Sequence, residues 1–480
     1  MLINKRYFTR INLINLLIGL IPLSLIVGNL AININIILIC LLGILIYKFD
    51  IFIIEKKKYQ YLIYAFFSYL IVVTVISYLP LITNDISKMF PYHTSSKEDY
   101  IENTLKSFFF LRFLILFFLL NKLIENNQFN LKLFFISFAF FSAVVAIDIF
   151  IQVSFGRNLL GNTFDYRPTS FFGNESIAGG FLQKFSLFFI FLIAFYKISE
   201  KKKYFYIYIS FLIFFMAIFF INNRMPVLLF IFSFYIFLLL NKNLKTIIFS
   251  SFLIISIFII SLEVNDKFKN SYLSFYGNAK QILLVAPKLF LSKNEKGDIW
   301  NNYIPENIKG PDGIPLCKNN INITCVPAND SELIHFGHGY TIIFNTGIQL
   351  WKENKIFGQG LKSFRVNCSR GKNTSCSTHP HNYFIEIMLD TGLIGLVLIY
   401  LIFFLLFSDF LKFYKNNLNL DSKLISLPFF LIIISEFFPL RSSGSFFSTG
   451  TATATFLILP IIIGLLNSKK FREEQTTISE

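Results

Sequence analysis

The amino-acid sequence predicts an all-helical integral membrane protein with about twelve membrane-spanning helices and one large loop between spans 9 and 10. Two observations predict this class. Of the 480 residues, 54% are hydrophobic and only 15% are charged, and the mean hydropathy is +0.60. A soluble globular protein of this length needs more polar surface than this composition supplies. The apolar residues also fall in long runs, so the solvent for most of the chain is a bilayer.

Each apolar run is long enough to cross the hydrocarbon core, which takes about 20 helical residues. Runs of this length must be helical, because an unsatisfied backbone polar group is costly in hydrocarbon. The first run follows Lys5, Arg6 and Arg10 and has no small-residue cleavage site, so we expect a retained span and not a signal peptide. The predicted spans lie near residues 11–28, 30–48, 61–82, 107–121, 131–153, 178–196, 204–222, 225–240, 245–262, 384–407, 424–440 and 451–467.

The distribution of lysine and arginine predicts which loops face the cytoplasm, where basic residues accumulate. Alternate loops carry the basic clusters, and an even number of spans puts both termini on that same side. The net charge of +16 therefore follows from topology and does not indicate a nucleic-acid partner. The basic set comprises the N-terminus, Lys56–Lys58, Lys122 with Lys132, Lys197 with Lys201–Lys203, Lys242 with Lys245, Lys412 with Lys415 and Lys423, and the tail Lys469, Lys470 and Arg472.

This pattern divides the chain into three regions. Residues 1–262 hold spans 1 to 9, and residues 384–480 hold spans 10 to 12 and a cytoplasmic tail. Residues 263–383 are too polar and too rich in Gly, Pro and Asn to span, and by alternation they face the periplasm. We expect the only sizeable soluble subdomain in this periplasmic loop.

The cysteines agree with that sidedness. Cys317 with Cys325, and Cys368 with Cys376, form two closely spaced pairs in the predicted periplasmic loop. An oxidising compartment permits disulfides, so we predict two local ones. The alternative is a zinc site of four thiolates, which usually has tighter two-residue spacings. Cys40 falls inside a span, where a thiol acts as a small apolar side chain.

The end of the loop carries the densest polar cluster, Cys376-Ser-Thr-His379-Pro-His381-Asn382-Tyr383, followed directly by an apolar run. An imidazole accepts a proton near neutral pH, so His381 at the mouth of a helix is a candidate general base. The alternative is that the histidines only hold the loop against the helix by hydrogen bonds. A metal site built with His335 and His338 is a further alternative, although no acidic ligand lies beside them.

Three arginines lie at predicted exterior edges of spans: Arg167, Arg224 and Arg441. A guanidinium group binds phosphate with two parallel hydrogen bonds, so together they predict contact with an anionic lipid headgroup. Singly, each arginine is better interpreted as an anchor at the membrane surface. Lys184 and Arg112 fall within spans, where ionisable residues are functional candidates, and the sequence does not identify their partners.

Four segments together resemble the O-antigen ligase and polymerase superfamily: Arg167–Gly173, Arg224 at the start of a span, Ile356–Arg365, and His379–Gly395. The resemblance covers roughly residues 150–465. It implies a multi-pass enzyme of the cell inner membrane whose active site faces the periplasm. Such an enzyme transfers a glycan from an undecaprenyl-diphosphate carrier to an acceptor, without cofactor or metal.

The resemblance also implies roles for individual residues. His381 would be the base and Arg224 would neutralise the diphosphate, with substrate contacts from Arg167, His338, His379, Asn382 and Arg441. A diphosphate is already a good leaving group, so arginine hydrogen bonds can take the place of a metal. One departure matters. Relatives often show an essential arginine in the loop before a Trp-containing helix, and this chain has His335-Phe-Gly-His338-Gly-Tyr before Trp351.

The acceptor is not identified by these residues. The simplest interpretation is a ligase that attaches the glycan to a lipid A-core sugar, and the nearest alternatives are an O-antigen polymerase and a protein O-oligosaccharyltransferase. A secondary transporter is an alternative from another class, favoured by about twelve spans and by Lys184 and Arg112. A transporter would not need the polar cluster around His381, and few acidic residues lie in the spans for ion coupling.

Overall fold

The computed structural model describes residues 2–53, 57–83, 95–164, 167–173, 175–242, 244–264, 268–270, 272–273, 276, 303–305, 324–326, 340–368, 377–439, 441 and 444–468. Almost all of these residues are helical. The helices, numbered in chain order, are α1 (Leu2–Gly19), α2 (Ile21–Val27), α3 (Asn29–Tyr47), α4 (Lys57–Thr83), α5 (Lys97–Phe109), α6 (Leu111–Glu125), α7 (Leu131–Phe155), α8 (Ala178–Phe191), α9 (Glu200–Phe220), α10 (Arg224–Leu240), α11 (Leu244–Val264), α12 (Tyr340–Glu353), α13 (Ser363–Asn367), α14 (Tyr383–Asn416), α15 (Leu420–Glu436) and α16 (Thr449–Asn467).

Two short strands and two short 3₁₀ helices accompany the α-helices within the described part of the chain. The strands β1 (Tyr303–Pro305) and β2 (Thr324–Val326) pair in parallel, with Ile304 opposite Cys325. Single turns of 3₁₀ helix, Lys48–Phe52 and Leu192–Phe195, extend α3 and α8.

The predicted all-helical membrane class is confirmed. Among the described residues, nine helices are long and apolar enough to cross a membrane, and the bent pair α1–α2 makes ten if it counts as one span. α10 is apolar but has only 17 residues. α15 also has 17 residues and carries Asp421, Lys423 and Glu436. The count of about twelve spans, the three-region division and the placement of the loop remain predictions.

The predicted span at 107–121 is longer in the structure, where α5 and α6 together run over Lys97–Glu125. The extension begins at Ser96, whose side chain accepts a hydrogen bond from the backbone N–H of Asp99, while Asp99 accepts one from the Ser96 backbone N–H. This capping box satisfies two otherwise unpaired donors at the start of α5. Because α5 is amphipathic, a search for apolar windows does not detect it.

Phenylalanine side chains form much of the core. Phe134 of α7, Phe188 of α8 and Phe429 of α15 meet with ring centroids 5.0–5.7 Å apart. Phe188 is edge-to-face with the other two rings, and Phe134 and Phe429 are stacked, both of which are arrangements that aromatic pairs favour. α16 is central, since 83% of its most apolar window is buried, and α11 is peripheral, with 6%.

Several helix termini meet at one end of the bundle, which we call the site end: α8, α10, α14 and α16 begin there, and α9 and α15 end there. Asn223, before α10, donates to the carbonyl of Ser176, before α8, at 3.2 Å. Asn382, before α14, donates to the carbonyl of Pro439, after α15, at 2.9 Å. Arg224, His381 and Arg441 therefore all lie at the site end.

Candidate functional site

The helix that follows His379 and His381, α14, is interrupted near its start. Gly392 in α14 has φ 63° and ψ −167°, a non-helical conformation. The loop before α13 supplies hydrogen bonds at the break: Gln359 N–H donates to Leu389 O and Gly360 N–H donates to Asp390 O, both at 2.9 Å. Leu393 N–H in turn donates to Lys355 O at 3.0 Å. The motif Ile356–Arg365 is therefore a support for the first two turns of α14.

Glycine is required at this junction because the two backbones touch. Gly358 has φ 84°, and a Cβ there would lie 2.6 Å from the carbonyl oxygen of Asp390. A Cβ on Gly392 would lie 2.6 Å from the nitrogen of Gly358. Other residues rarely adopt positive φ, and neither position has space for a side chain.

Asp390 fixes the end of the same loop. Its carboxylate accepts hydrogen bonds from the backbone N–H of Lys362 at 2.7 Å and from the backbone N–H of Ser363 at 3.0 Å. The hydroxyl of Ser363 donates to it at 2.6 Å. Lys362 takes a left-handed conformation with φ 58°. Burial lowers the pKa of the Lys362 ammonium group, and the nearby Glu386 carboxylate opposes that shift.

His379 and His381 lie against each other with ring centroids 4.1 Å apart. A hydrogen bond of 2.8 Å links His379 Nδ1 to the hydroxyl of Thr378, and one of 3.2 Å links His381 Nε2 to the hydroxyl of Ser377. Burial lowers the pKa of His379 to about 4, with help from His381 and the charge of Lys362. Burial also lowers the pKa of His381. Both imidazoles are thus neutral at neutral pH and able to accept a proton.

Asn382 has both ends of its amide engaged within the protein. Its Oδ1 accepts from the backbone N–H of Ile385 at 2.9 Å and caps α14. Its Nδ2 donates to the carbonyls of Pro439 and Arg441, both at 2.9 Å. These contacts favour a role for Asn382 in positioning the histidine segment. They do not favour the substrate contact that the sequence predicts for it.

Arg441 is also engaged by protein groups. Its Nη1 lies 2.8 Å from Oε1 of Glu436, and its guanidinium lies 4.7 Å from the ring centre of Tyr383. Lys184, whose partner could not be identified from the sequence, binds the same carboxylate oxygen at 3.1 Å. All three charged side chains are buried. The geometry therefore favours an anchoring role for Arg441.

Arg224 begins α10 and is half-buried. The charges of Arg224 and Arg167 both act on the hydroxyl of Tyr272: burial raises the pKa of Tyr272, and the two arginines oppose that shift. The segment of Arg167 is held to α7, because Ser170 donates to the carboxylate of Asp148 at 2.6 Å. Two of the three predicted arginines thus lie within electrostatic range of the same tyrosine.

Comparison with protein families bears on this site directly. Residues 209–400 match the family model described as O-antigen ligase. We call these residues, which make up less than half of the chain, the O-antigen ligase segment. The match confirms the resemblance to the O-antigen ligase and polymerase superfamily, and it supports an enzymatic function. A comparison with curated proteins gives no match.

The O-antigen ligase segment contains Arg224, Lys362, His379, His381 and Asn382, whereas Arg167 and Arg441 lie outside it. His338 lies within the segment but outside the residues that the structure describes. Among the described residues, no group of three or more His, Cys, Asp or Glu side chains is arranged to hold a metal ion.

The structure describes only some of the cysteines that the sequence predicts to be paired. Cys368 is disulfide-bonded, and its predicted partner Cys376 lies outside the described residues, as does Cys317. The backbone of Cys325 lies in β2. Cys40 is a buried free thiol, as its place in an apolar run implies.

The sequence interpretation missed Glu386 and Asp390 of α14. Both are buried, and Glu386 accepts hydrogen bonds of 2.6 Å from the Ser445 hydroxyl and from the Phe446 backbone N–H. It thereby fixes the segment before α16, as Asp390 fixes the loop before α13. Two carboxylates four residues apart in an apolar run were the available signal, since intramembrane acids are rare without a function.

Proposed function

We propose that this protein is an inner-membrane glycosyltransferase of the O-antigen ligase type. It moves a glycan from an undecaprenyl-diphosphate carrier to an acceptor on the periplasmic face, most simply a lipid A-core sugar. One observation carries the proposal: the neutral, half-buried imidazole of His381 lies at the mouth of α14 within the O-antigen ligase segment. Arg224 of the same segment begins α10 at the same end of the bundle.

In this reaction the acceptor hydroxyl attacks C1 of the donor sugar. His381 takes the hydroxyl proton, as a positioned general base, while Ser377 orients its ring. The bond between C1 and the phosphate oxygen breaks, and its electron pair leaves with the diphosphate. Arg224 and Arg167 hold that developing charge through bidentate hydrogen bonds. We propose that no metal ion takes part, because the arginines supply the electrostatic stabilisation.

The surroundings of α10 suit a lipid-linked donor. A cavity of about 260 Å³ between α9, α10 and α11 is lined almost wholly by apolar side chains, including Phe211, Phe215, Phe230 and Phe234. Phe230 lies six residues beyond Arg224, or roughly 9 Å along the helix. A headgroup at Arg224 and an isoprenoid chain in the cavity would therefore follow the same helix.

An O-antigen polymerase and a protein O-oligosaccharyltransferase are the alternatives, since they share this chemistry and differ in the acceptor. The ion pair of Lys184 with Glu436 accounts for the intramembrane lysine without ion coupling. This favours a glycosyltransferase over a secondary transporter.

Deletion of the gene, followed by gel analysis of surface glycolipids, tests the proposal. Loss of the polysaccharide ladder with carrier-linked polymer retained means a ligase. Glycolipids capped with a single repeat mean a polymerase, and unchanged glycolipids with altered glycoproteins mean a protein acceptor. Restoration by the wild-type gene is the control. Unchanged glycolipids and glycoproteins would contradict a glycosyltransferase function.

A further inference from the structure

We propose that the ammonium group of Lys362 binds a phosphate of the lipid-linked donor beside the two imidazoles. This inference rests on the proposed function and adds a cation to Arg224 and Arg167. It assigns a substrate contact to a loop that otherwise only supports α14.

The backbone around Lys362 is fixed from two sides. On one side, the hydroxyl of Tyr78 in α4 donates to the carbonyl of Leu361 at 2.8 Å, and Thr74 accepts from the Leu361 backbone N–H at 2.9 Å. On the other side, Asp390 accepts from the Lys362 backbone N–H at 2.7 Å. The positive φ of Lys362 is uncommon for a residue with a side chain, and such conformations cluster at functional sites. The chain thus holds the backbone of this lysine in one conformation.

The ammonium group has no direct counter-ion among the described residues, since it takes part in none of their ion pairs or hydrogen bonds. The carboxylates of Glu386 and Asp390 act on it from a distance. Their oxygens are already occupied, by Ser445 and Phe446 at Glu386 and by the loop backbone and Ser363 at Asp390. A half-buried cation without a direct partner is costly, so the position is suited to an anion that arrives with the substrate.

The neighbouring charges favour a phosphate over a neutral sugar. Lys106 and Arg365 add two further positive charges around Lys362, beside the carboxylates of Glu386 and Asp390. Lys106 is half-buried but paired with Glu102 at 2.6 Å, and Arg365 is exposed, so of the three described cations Lys362 is the half-buried one outside an ion pair. The charge of Lys362 acts on His379 as well. A phosphate bound by Lys362 would therefore lie within electrostatic range of His379.

The test compares Lys362→Asn, Lys362→Arg and a control, Lys355→Asn, as purified proteins in nanodiscs. Asparagine tolerates positive φ, so Lys362→Asn removes the charge without straining the backbone. Lys355 lies in the same loop with an exposed side chain, and its two described hydrogen bonds, from Leu393 and Trp351, are accepted by its carbonyl oxygen, which the substitution retains. Two quantities are measured: binding of undecaprenyl diphosphate, and the KM for donor and acceptor in glycan transfer.

We expect Lys362→Asn to weaken undecaprenyl diphosphate binding and raise the donor KM by about tenfold or more, the usual worth of a hydrogen bond to a charged group. Lys362→Arg should retain part of the binding, and Lys355→Asn should match the wild type. Wild-type binding by Lys362→Asn would overturn the inference and leave the proposed function standing. A rise in the acceptor KM alone would show that the anion belongs to the acceptor. A wild-type protein that neither binds undecaprenyl diphosphate nor transfers glycan would overturn both.

Discussion

Lys184 and Glu436 form an ion pair inside the helical bundle, with 3.1 Å between Nζ and Oε1. The same carboxylate oxygen lies 2.8 Å from Nη1 of Arg441. One carboxylate thus serves two buried cations, and it ties α8 to the end of α15 and to the segment that holds Asn382. Removal of one partner of a buried pair leaves an uncompensated charge, which costs about 3–5 kcal/mol.

The first prediction concerns this ion-pair cluster. Glu436→Gln leaves two buried cations without a carboxylate, whereas Lys184→Met leaves one intact pair of Glu436 with Arg441. We expect the stability order wild type, Lys184→Met, Glu436→Gln, with Glu436→Gln losing about 3–5 kcal/mol. Thermal unfolding of the three proteins in the same detergent measures it. A Glu436→Gln protein as stable as Lys184→Met would contradict the shared-carboxylate account.

The second prediction concerns the junction between the loop and α14. Gly358→Ala and Gly392→Ala each place a Cβ against backbone atoms at positive φ. Each should lower stability by at least about 1–3 kcal/mol, the usual cost of a strained backbone, and should reduce transfer. Gly180→Ala is the matched control, because Gly180 is helical and a Cβ there meets nothing within 4 Å. If all three variants unfold at the same temperature, the close backbone contact at this junction does not require glycine.

The third prediction concerns pH. A base acts in its neutral form, and the lowered pKa of His381 keeps it neutral below the ordinary value of 6.5. The rate should therefore persist as the pH falls through 6.5 and decline only at more acidic pH, where His381 gains a proton. The pH profile of kcat/KM for transfer measures this. An acid limb with its midpoint at or above pH 6.5 would be evidence against a buried imidazole as the base.

The fourth prediction concerns sidedness, which follows from the alternation of basic loops. Gly310 should lie outside the cytoplasm and Lys57 inside it. Reporter fusions at these two positions, active on opposite sides of the membrane, measure the topology. A cytoplasmic signal at Gly310 would put the histidine cluster on the wrong face for a periplasmic acceptor.

The helices were largely predictable from the sequence, because each membrane span requires about 20 apolar residues. An apolar run of that length can be recognised directly in the sequence. Where a helix is amphipathic the same search fails, as α5 shows. The position of the histidine cluster at a helix start was also predictable, since a polar run precedes an apolar one at Asn382.

The contacts that complete the site were not predictable. The partner of Lys184 lies 252 residues further along the chain, and no local pattern connects it to Glu436. Gly358 and Gly360 look like an ordinary loop turn until the break at Gly392 is seen beside them. The neutral state of His379 depends on burial by other parts of the chain, which its neighbours in sequence do not reveal.

The most direct test of the account is glycan transfer by purified protein in nanodiscs, comparing wild type with His381→Ala and Arg224→Lys, with and without EDTA. We expect His381→Ala to lose about 10² to 10⁴ in rate while it still folds and binds donor, as for other positioned bases. Arg224→Lys keeps the charge but loses the bidentate fork, so it should also be impaired, and EDTA should change nothing. Near-normal transfer by folded His381→Ala would contradict the assignment of the base, and inhibition by EDTA that a divalent ion reverses would contradict metal independence.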